Sequence, residues 1–303
     1  LQTTSFNGSR QSTNSAFIQP IRCKRRNLTI KTESYVTRLL IDNETKRVTG
    51  VEYASGNNRT DLHKVFAKKE VIVSAGTINS PKILMLSGIG PSDELEKHGI
   101  EVISNISVGR NYQDHVTTNG FAIAINFTST NENISMIKED ISYYEETHRG
   151  PLSGTGIITP CVFTQTIYEH EEGVPDIQFF FQSINRQDFL NVPQEATDIN
   201  VSPCSYYDTI NIAPILISPN SRGFILLNES DPLWGEPLIY PMFFTRNPDL
   251  DVLVESIGIA LRVFDTESFK KYDYRLIDRP LPACRELEFG ERDYWKCVMM
   301  EYT

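Results

Sequence analysis

The stretch VIVSAGTINSPKILMLSGIGP, residues 71–91, restricts the fold more than any other part of the chain. Val71, Ile72 and Val73 are apolar on both faces, which predicts a buried, parallel strand. Ser74, Ala75 and Gly76 follow with almost no side chain, so another backbone or a ligand can approach closely. Ser80 is a good N-cap and Pro81 suits a first helical position, where no N–H is required. Ile83, Leu84 and Leu86 then supply an apolar helix surface, and Gly88 can take the left-handed conformation that ends it. The reading is strand, small-residue corner, helix, stop. In doubly wound α/β proteins ligands lie where such corners point. An ordinary strand-to-helix turn with a glycine for packing fits the same residues.

The remaining chain divides near residue 115. Before it, residues 27–59 read as strands joined by polar turns, with Asp42-Asn43-Glu44 turning the chain and Val48 to Tyr53 returning. Ser92 to His98 reads as a short helix with acids in its first turn and bases in its last, ended by Gly99. His98 is therefore read as a cap rather than a catalyst. After residue 115, TTNGFAIAINF, PDIQFFFQSI, INIAPILIS and SRGFILL read as strands, and residues 134–148 read as a helix ended by Gly150-Pro151. In residues 246–264, Asn247 is expected to cap and Pro248 to start a helix with a core stripe of Leu250, Leu253, Ile257, Ala260, Leu261 and Phe264. Strands in series with few helices suggest an antiparallel sheet covered on one side.

Composition narrows the chemistry. The net charge of −10 at pH 7 argues against nucleic acid, whose phosphates need a basic face. No apolar run approaches the ~18–20 residues that span a membrane. Neither GxSxG, HExxH nor GxxxxGK[ST] occurs, and the Cys and His residues have no zinc spacing, so no metal is expected. Of the five cysteines, Cys284 and Cys297 are near enough in sequence to bridge in an oxidising compartment. Sequons begin at Asn7, Asn27, Asn43, Asn58, Asn105, Asn126, Asn133, Asn200 and Asn228, against about three expected by chance, which favours a secreted glycoprotein. Asn105 and Asn126 are set aside as strand residues expected to be buried. Asp114-His115 in VGRNYQDH can orient a base, but an Asp-His step in a loop more often forms a local hydrogen-bonded corner.

Ser80-Pro81, Ile83-Leu84 and Ser87-Gly88-Ile89-Gly90 resemble a signature of the glucose–methanol–choline (GMC) flavoenzymes. VGRNYQDH, residues 108–115, resembles that family's VGxNLQDH, with Tyr112 in place of Leu. RGPLSGTGI, SRGFILL and DLDVLVESIGIALRV match later family segments in order, and residues 280–297 resemble the arthropod glucose-dehydrogenase branch, both cysteines included.

The resemblance implies an α/β chain, α+β overall. Residues 1–115 would form an incomplete, doubly wound FAD-binding domain. Residues 116–303 would form a substrate-binding domain with an antiparallel sheet and covering helices. It implies FAD as cofactor, a small alcohol or sugar as substrate, and a quinone or oxygen as electron acceptor. By position, Val36 would touch the adenine part of FAD through its backbone. Ser74, Ala75 and Gly76 would pass close to the cofactor, and Asn111 and His115 would lie toward the flavin. The family's GxGxxG turn and its HPxGT-like catalytic segment do not occur in these residues, so no catalytic residue is assigned. The expectation is a truncated, separately inactive portion of an oxidoreductase. The alternative is a non-enzymatic relic that keeps the substrate sheet as a binding module.

Overall fold

A β-branched and aromatic run, Ser34–Ile41, pairs antiparallel with Val48–Ser55, which pairs with Asn58–Phe66. In this computed structural model, residues 4–56, 58–125, 134–154, 160–184 and 206–303 are described. The sequons at Asn126, Asn133 and Asn200, together with Cys204 and residues 155–159, lie outside them. Two compact units form: residues 25–113 with 221–245, and residues 1–24 with 114–220 and 246–303. Neither unit is contiguous in sequence.

In the first unit the edge strand Ser34–Ile41 packs beside the helix Gly76–Leu86. The helix ends at Ser87. Gly88 follows at φ +81, and its N–H donates to the Met85 carbonyl. A short helix, Ser92–Lys97, carries Asp93 and Glu94 in its first turn, with Pro91 at the cap and His98 at the C-cap. Met85, Leu95 and Leu227 form a buried cluster, with Leu86, Ile100, Val102 and Val108 packed around it. Glu94 is 4% exposed, and its carboxylate accepts the Leu227 N–H at 2.8 Å and lies 3.3 Å from His98 Nε2. Leu238–Tyr240, Gly223–Leu226 and Arg110–Tyr112 complete the unit as an antiparallel sheet. The parallel pairing among the described residues is Ile89–Gly90 with Ser104–Asn105.

Three local expectations are corrected here. Val71, Ile72 and Val73 form no strand, and Ile72 is 78% exposed, because no described segment pairs with them. The helix begins at Gly76, not after Ser80, and Pro81 lies inside it. Ser80 reaches back instead, its Oγ accepting the Ala75 N–H at 3.0 Å. Asn105 is exposed, not buried.

Glu52, 8% exposed, accepts two bonds from Arg38 at 3.1 Å and one from Thr37 Oγ1 at 3.1 Å. The Arg38 hydrogen bond holds its carboxyl below the usual range, with burial opposing and Thr37 assisting. A carboxyl depressed by folding stabilises above its unfolded pKa, about 4.3, and that contribution is lost as pH falls through the lower folded value. Thermal melting between pH 3 and 5 should therefore slope more steeply in the wild type than in Glu52→Gln; parallel slopes would contradict this account.

The second unit holds an antiparallel sheet in the order Cys161–Thr164, Ile177–Ile184, Thr209–Leu216, Ala122–Ala124, Arg275–Leu276, with Val116–Thr117 also on Thr209–Leu216. Period-2 alternation gives it two faces. Ile177, Phe179, Ile210, Ile212 and Leu216 are buried on the face shared with Val116 and Ile123. The helix Asp249–Phe264 packs against this sheet and against Arg292–Glu301. Its cap is Pro248 rather than Asn247, and Leu253, Ile257 and Ala260 from the expected stripe are buried together with Val252, Val254 and Ser256. The opposite face of the sheet carries amides: Gln182 is register partner to Asn211, which is fully buried. Cys284 and Cys297 form a disulfide that ties the 282–284 turn to the last helix.

Candidate cofactor cradle

Between the edge strand and the helix lies a cavity of about 210 Å³, lined by Ser34, Tyr35, Val36, Ala75, Asn79, Lys82, Ile83 and Leu86. Local sequence explains each wall. The strand's register shifts between Val36 and Arg38, a bulge that bends this edge at Val36. Ala75 sits at the helix N-cap with no side chain to fill the gap, and Gly76, at φ +86, would meet nothing within 4 Å if it carried a Cβ. The corner at 74–76 thus stays open because its residues are small and the first turn is closed from within by Ser80.

Lys82 forms the charged wall. It is 3% exposed, and Nζ donates to Tyr35 Oη at 3.0 Å and to the Gly235 carbonyl at 2.8 Å. The Tyr35 ring packs 5.2 Å from Trp234, and the Arg59 guanidinium sits 5.2 Å from the Trp234 ring. Among the described residues Lys82 forms no ion pair within 4.0 Å, and both its acceptors are neutral oxygens. A buried ammonium without a counter-ion is costly and favours an anionic or electron-rich ligand nearby. The sequence analysis did not single out Lys82, Tyr35 or Asn79. The available signal was that Lys82 is the single charge in residues 71–91.

The structure gathers some of the sequence-predicted residues and separates others. Val36 and Ala75 line one cavity. Ser74 and Gly76 flank Ala75 and are exposed. Asn111 belongs to the same unit but to another sheet; its φ is +66, and its Oδ1 accepts Arg222 Nε at 3.1 Å. His115 belongs to the second unit, is exposed, and donates its backbone N–H to Asp114 Oδ1 at 2.8 Å, the local corner weighed above. On the amide face of the larger sheet, Asn211 lies 2.8 Å from the Gln182 amide, and the buried Thr117 and Thr209 hydroxyls have no hydrogen-bond partner among the described residues. Among the described residues no group of three His, Cys, Asp or Glu is placed to hold a metal.

Residues 2–117 match the family model described as GMC oxidoreductase. Over its whole length the chain is 34% identical to glucose dehydrogenase [FAD, quinone] of Drosophila melanogaster. The chain belongs to the GMC oxidoreductase family. It is also 31% identical to ecdysone oxidase of Bombyx mori over 96% of its length. These alignments span 46% and 43% of the two relatives, so this GMC chain covers about half the length of the curated relatives it matches. Among solved structures it superimposes on formate oxidase from Aspergillus oryzae with a TM-score of 0.76 and 24% identity, covering 99% of this chain and 53% of that one. Pyridoxine 4-oxidase gives a TM-score of 0.69 at 20% identity. These likenesses establish a mixed α/β GMC fold with antiparallel sheets.

Proposed function

We propose that this chain supplies part of the FAD cradle and the substrate-facing sheet of an oxidoreductase acting on CH–OH groups of sugars or alcohols. The observation that carries the reading is the single cavity walled by Val36, Ala75 and the buried cation Lys82. Bound FAD would supply hydride acceptance, with a quinone or oxygen reoxidising it. The chain's own residues bind and orient. Val36 and the Ser74-Ala75-Gly76 corner offer backbone and open space to the adenine half, and Lys82 offers positive charge. Asn111 and His115 are the candidates toward the flavin end, where Asn111 is held by Arg222. The unit formed by residues 25–113 and 221–245 is read as the cofactor side, and the unit with the larger sheet as the substrate side. There the buried amide of Asn211 and the half-buried amide of Gln182, with the Thr117 and Thr209 hydroxyls that make no hydrogen bond among the described residues, suit a ligand rich in hydroxyl groups. The name of the Drosophila relative, glucose dehydrogenase, supports a sugar class, and that of alcohol dehydrogenase [acceptor] of Pseudomonas putida, 31% identical over 91% of this chain, supports an alcohol class. The sequons and the Cys284–Cys297 disulfide support passage through an oxidising secretory compartment. Among the described residues no helix is long and apolar enough to cross a membrane.

The full-length protein containing this sequence should purify with stoichiometric FAD, seen as visible flavin absorption. That absorption should bleach anaerobically on adding glucose or a simple alcohol and return with a quinone or oxygen. A colourless protein that takes up no added FAD would overturn the reading.

A further inference from the structure

Resting on the secretory reading above, we infer that Asn43 is an occupied N-glycosylation site and that Asn228, which also begins a sequon, is not. Asn43 sits in the exposed turn joining the strands Ser34–Ile41 and Val48–Ser55. That turn is closed without it: Lys46 N–H donates to the Asp42 carbonyl at 2.8 Å, and Asp42 N–H donates to the Arg47 carbonyl at 2.9 Å. The Asp42 carboxylate accepts both the Thr45 N–H at 2.8 Å and the Thr45 hydroxyl at 2.7 Å. The Asn43 side chain makes no hydrogen bond among the described residues. It borders an open groove of about 470 Å³ between residues 38–41 and 100–103. A glycan on its Nδ2 costs the fold no hydrogen bond and meets no packed side.

Asn228 is the opposite case. Its Oδ1 accepts the Ser230 N–H at 3.1 Å, the Ser230 hydroxyl at 2.9 Å and the Asp231 N–H at 3.1 Å, and its Nδ2 donates to the Glu236 carbonyl at 3.1 Å. A Cβ placed on Gly235 would stand 2.6 Å from its Cγ, so the amide is enclosed by its own turn. A sugar on Nδ2 takes one of that nitrogen's two hydrogens and has to fit where Nδ2 is already held against the Glu236 carbonyl, which crowds that turn. Asn105 and Asn27 are intermediate: each Oδ1 accepts one bond, from Ser92 N–H and Arg25 Nε, while neither Nδ2 donates a hydrogen bond among the described residues.

The modification is a group transfer from a lipid-linked pyrophosphoryl oligosaccharide. Asn43 Nδ2 forms a C–N bond to the anomeric carbon, and the C–O bond to phosphate breaks. The lipid pyrophosphate leaves with the electron pair, and Nδ2 gives up one proton. It occurs on the unfolded chain, so folding afterwards selects which modified chains reach the native state.

The test is secretion of the full-length protein from a eukaryotic host, isolation of the natively folded fraction, and peptide mass mapping after enzymatic deglycosylation, which turns each occupied Asn into Asp. The expected result is conversion at Asn43 and none at Asn228. N43Q should lose one glycan-sized step in electrophoretic mobility, whereas N228Q should lose none. An unconverted Asn43 beside other converted sequons, or a converted Asn228 in folded protein, would overturn the inference while leaving the secretory reading intact. Absence of conversion at every sequon would overturn that reading, and this inference with it.

Discussion

Ala75→Phe in the full-length protein should abolish stable flavin binding while leaving the protein folded. The two halves of that statement have separate physical grounds. Ala75 is exposed at a helix N-cap with φ −86 and ψ 11, a conformation any L-residue adopts, and its own side chain makes no capping bond. Substitution at such a place should change stability by no more than about 0.5 kcal/mol. The cavity it borders holds about 210 Å³. A cavity of about 150 Å³ is filled by a single benzene ring, so a benzyl group turned inward takes most of the space between Val36 and Lys82. A ligand that needs that space must expel the ring. We expect the dissociation constant for FAD, read from flavin fluorescence during titration of the apo-protein, to rise by at least about 100-fold, or about 2.7 kcal/mol. Melting of the apo-protein is the control. Wild-type FAD affinity in the variant would show that the cofactor does not pass between Val36 and Ala75, whatever else the protein does.

The same cavity shows what a single sequence can and cannot convey. The open corner was legible, because three consecutive small residues after an apolar run leave room wherever they sit. That it opens onto Val36 was not derivable from spacing. Residues 36 and 75 meet only through tertiary packing, and the family resemblance named Val36 without geometry. Lys82 escaped notice because lysines usually point to solvent. Here the Tyr35 hydroxyl and the Gly235 carbonyl, the latter 153 positions away in sequence, hold it inside. Similar long-range partners explain the discontinuous units. Gly223–Leu226 pairs with Arg110–Tyr112 across more than a hundred residues, and no local pattern announces such pairing. Val71 to Val73 were misjudged for the reverse reason. β-propensity describes a surface suited to a neighbour, and none of the described segments is that neighbour. The one-turn error at Ser80 is subtler. The helix starts at Gly76, so Ser80 is its fifth residue and not its N-cap; its hydroxyl accepts the Ala75 N–H from inside the helix, a bond that the local Ser-Pro pattern does not announce.

Gly88→Ala should be the most damaging small substitution in the 71–91 stretch, and Gly99→Ala is the comparison that shows why. Both glycines have positive φ, +81 and +66, and both follow helix ends. An L-residue in that conformation costs about 1–2 kcal/mol on its own. At Gly99 nothing lies within 4 Å of an added Cβ, so the conformational term is the whole expectation. At Gly88 the Cβ would stand 2.5 Å from the Glu101 carbonyl oxygen and 3.0 Å from Ile103 Cγ1. The obstructing atom is backbone and cannot rotate aside. Nor can Gly88 retreat easily, because its carbonyl accepts the N–H groups of Ile103 at 2.8 Å and Ser104 at 3.1 Å. Ser87, beside it, joins the helix to the sheet: its Oγ accepts the Leu39 N–H at 2.8 Å and donates to the Ile83 carbonyl at 2.5 Å. Overpacking of this kind adds about 1–3 kcal/mol, for a total of about 2–5 kcal/mol, a large share of the ~5–15 kcal/mol that keeps a domain folded. Denaturant melts of the two variants, with amide exchange followed over residues 85–105, would separate the terms. Equal losses would mean that the strand pair at 89–90 and 104–105 yields freely and that the second glycine-rich stop is only a flexible turn. A loss larger at Gly88→Ala than at Gly99→Ala by about 1–3 kcal/mol, with exchange rising at Ile103 and Ser104, would mean that the close approach at this glycine fixes the end of the helix whose Ile83 and Leu86 wall the cavity proposed for the cofactor.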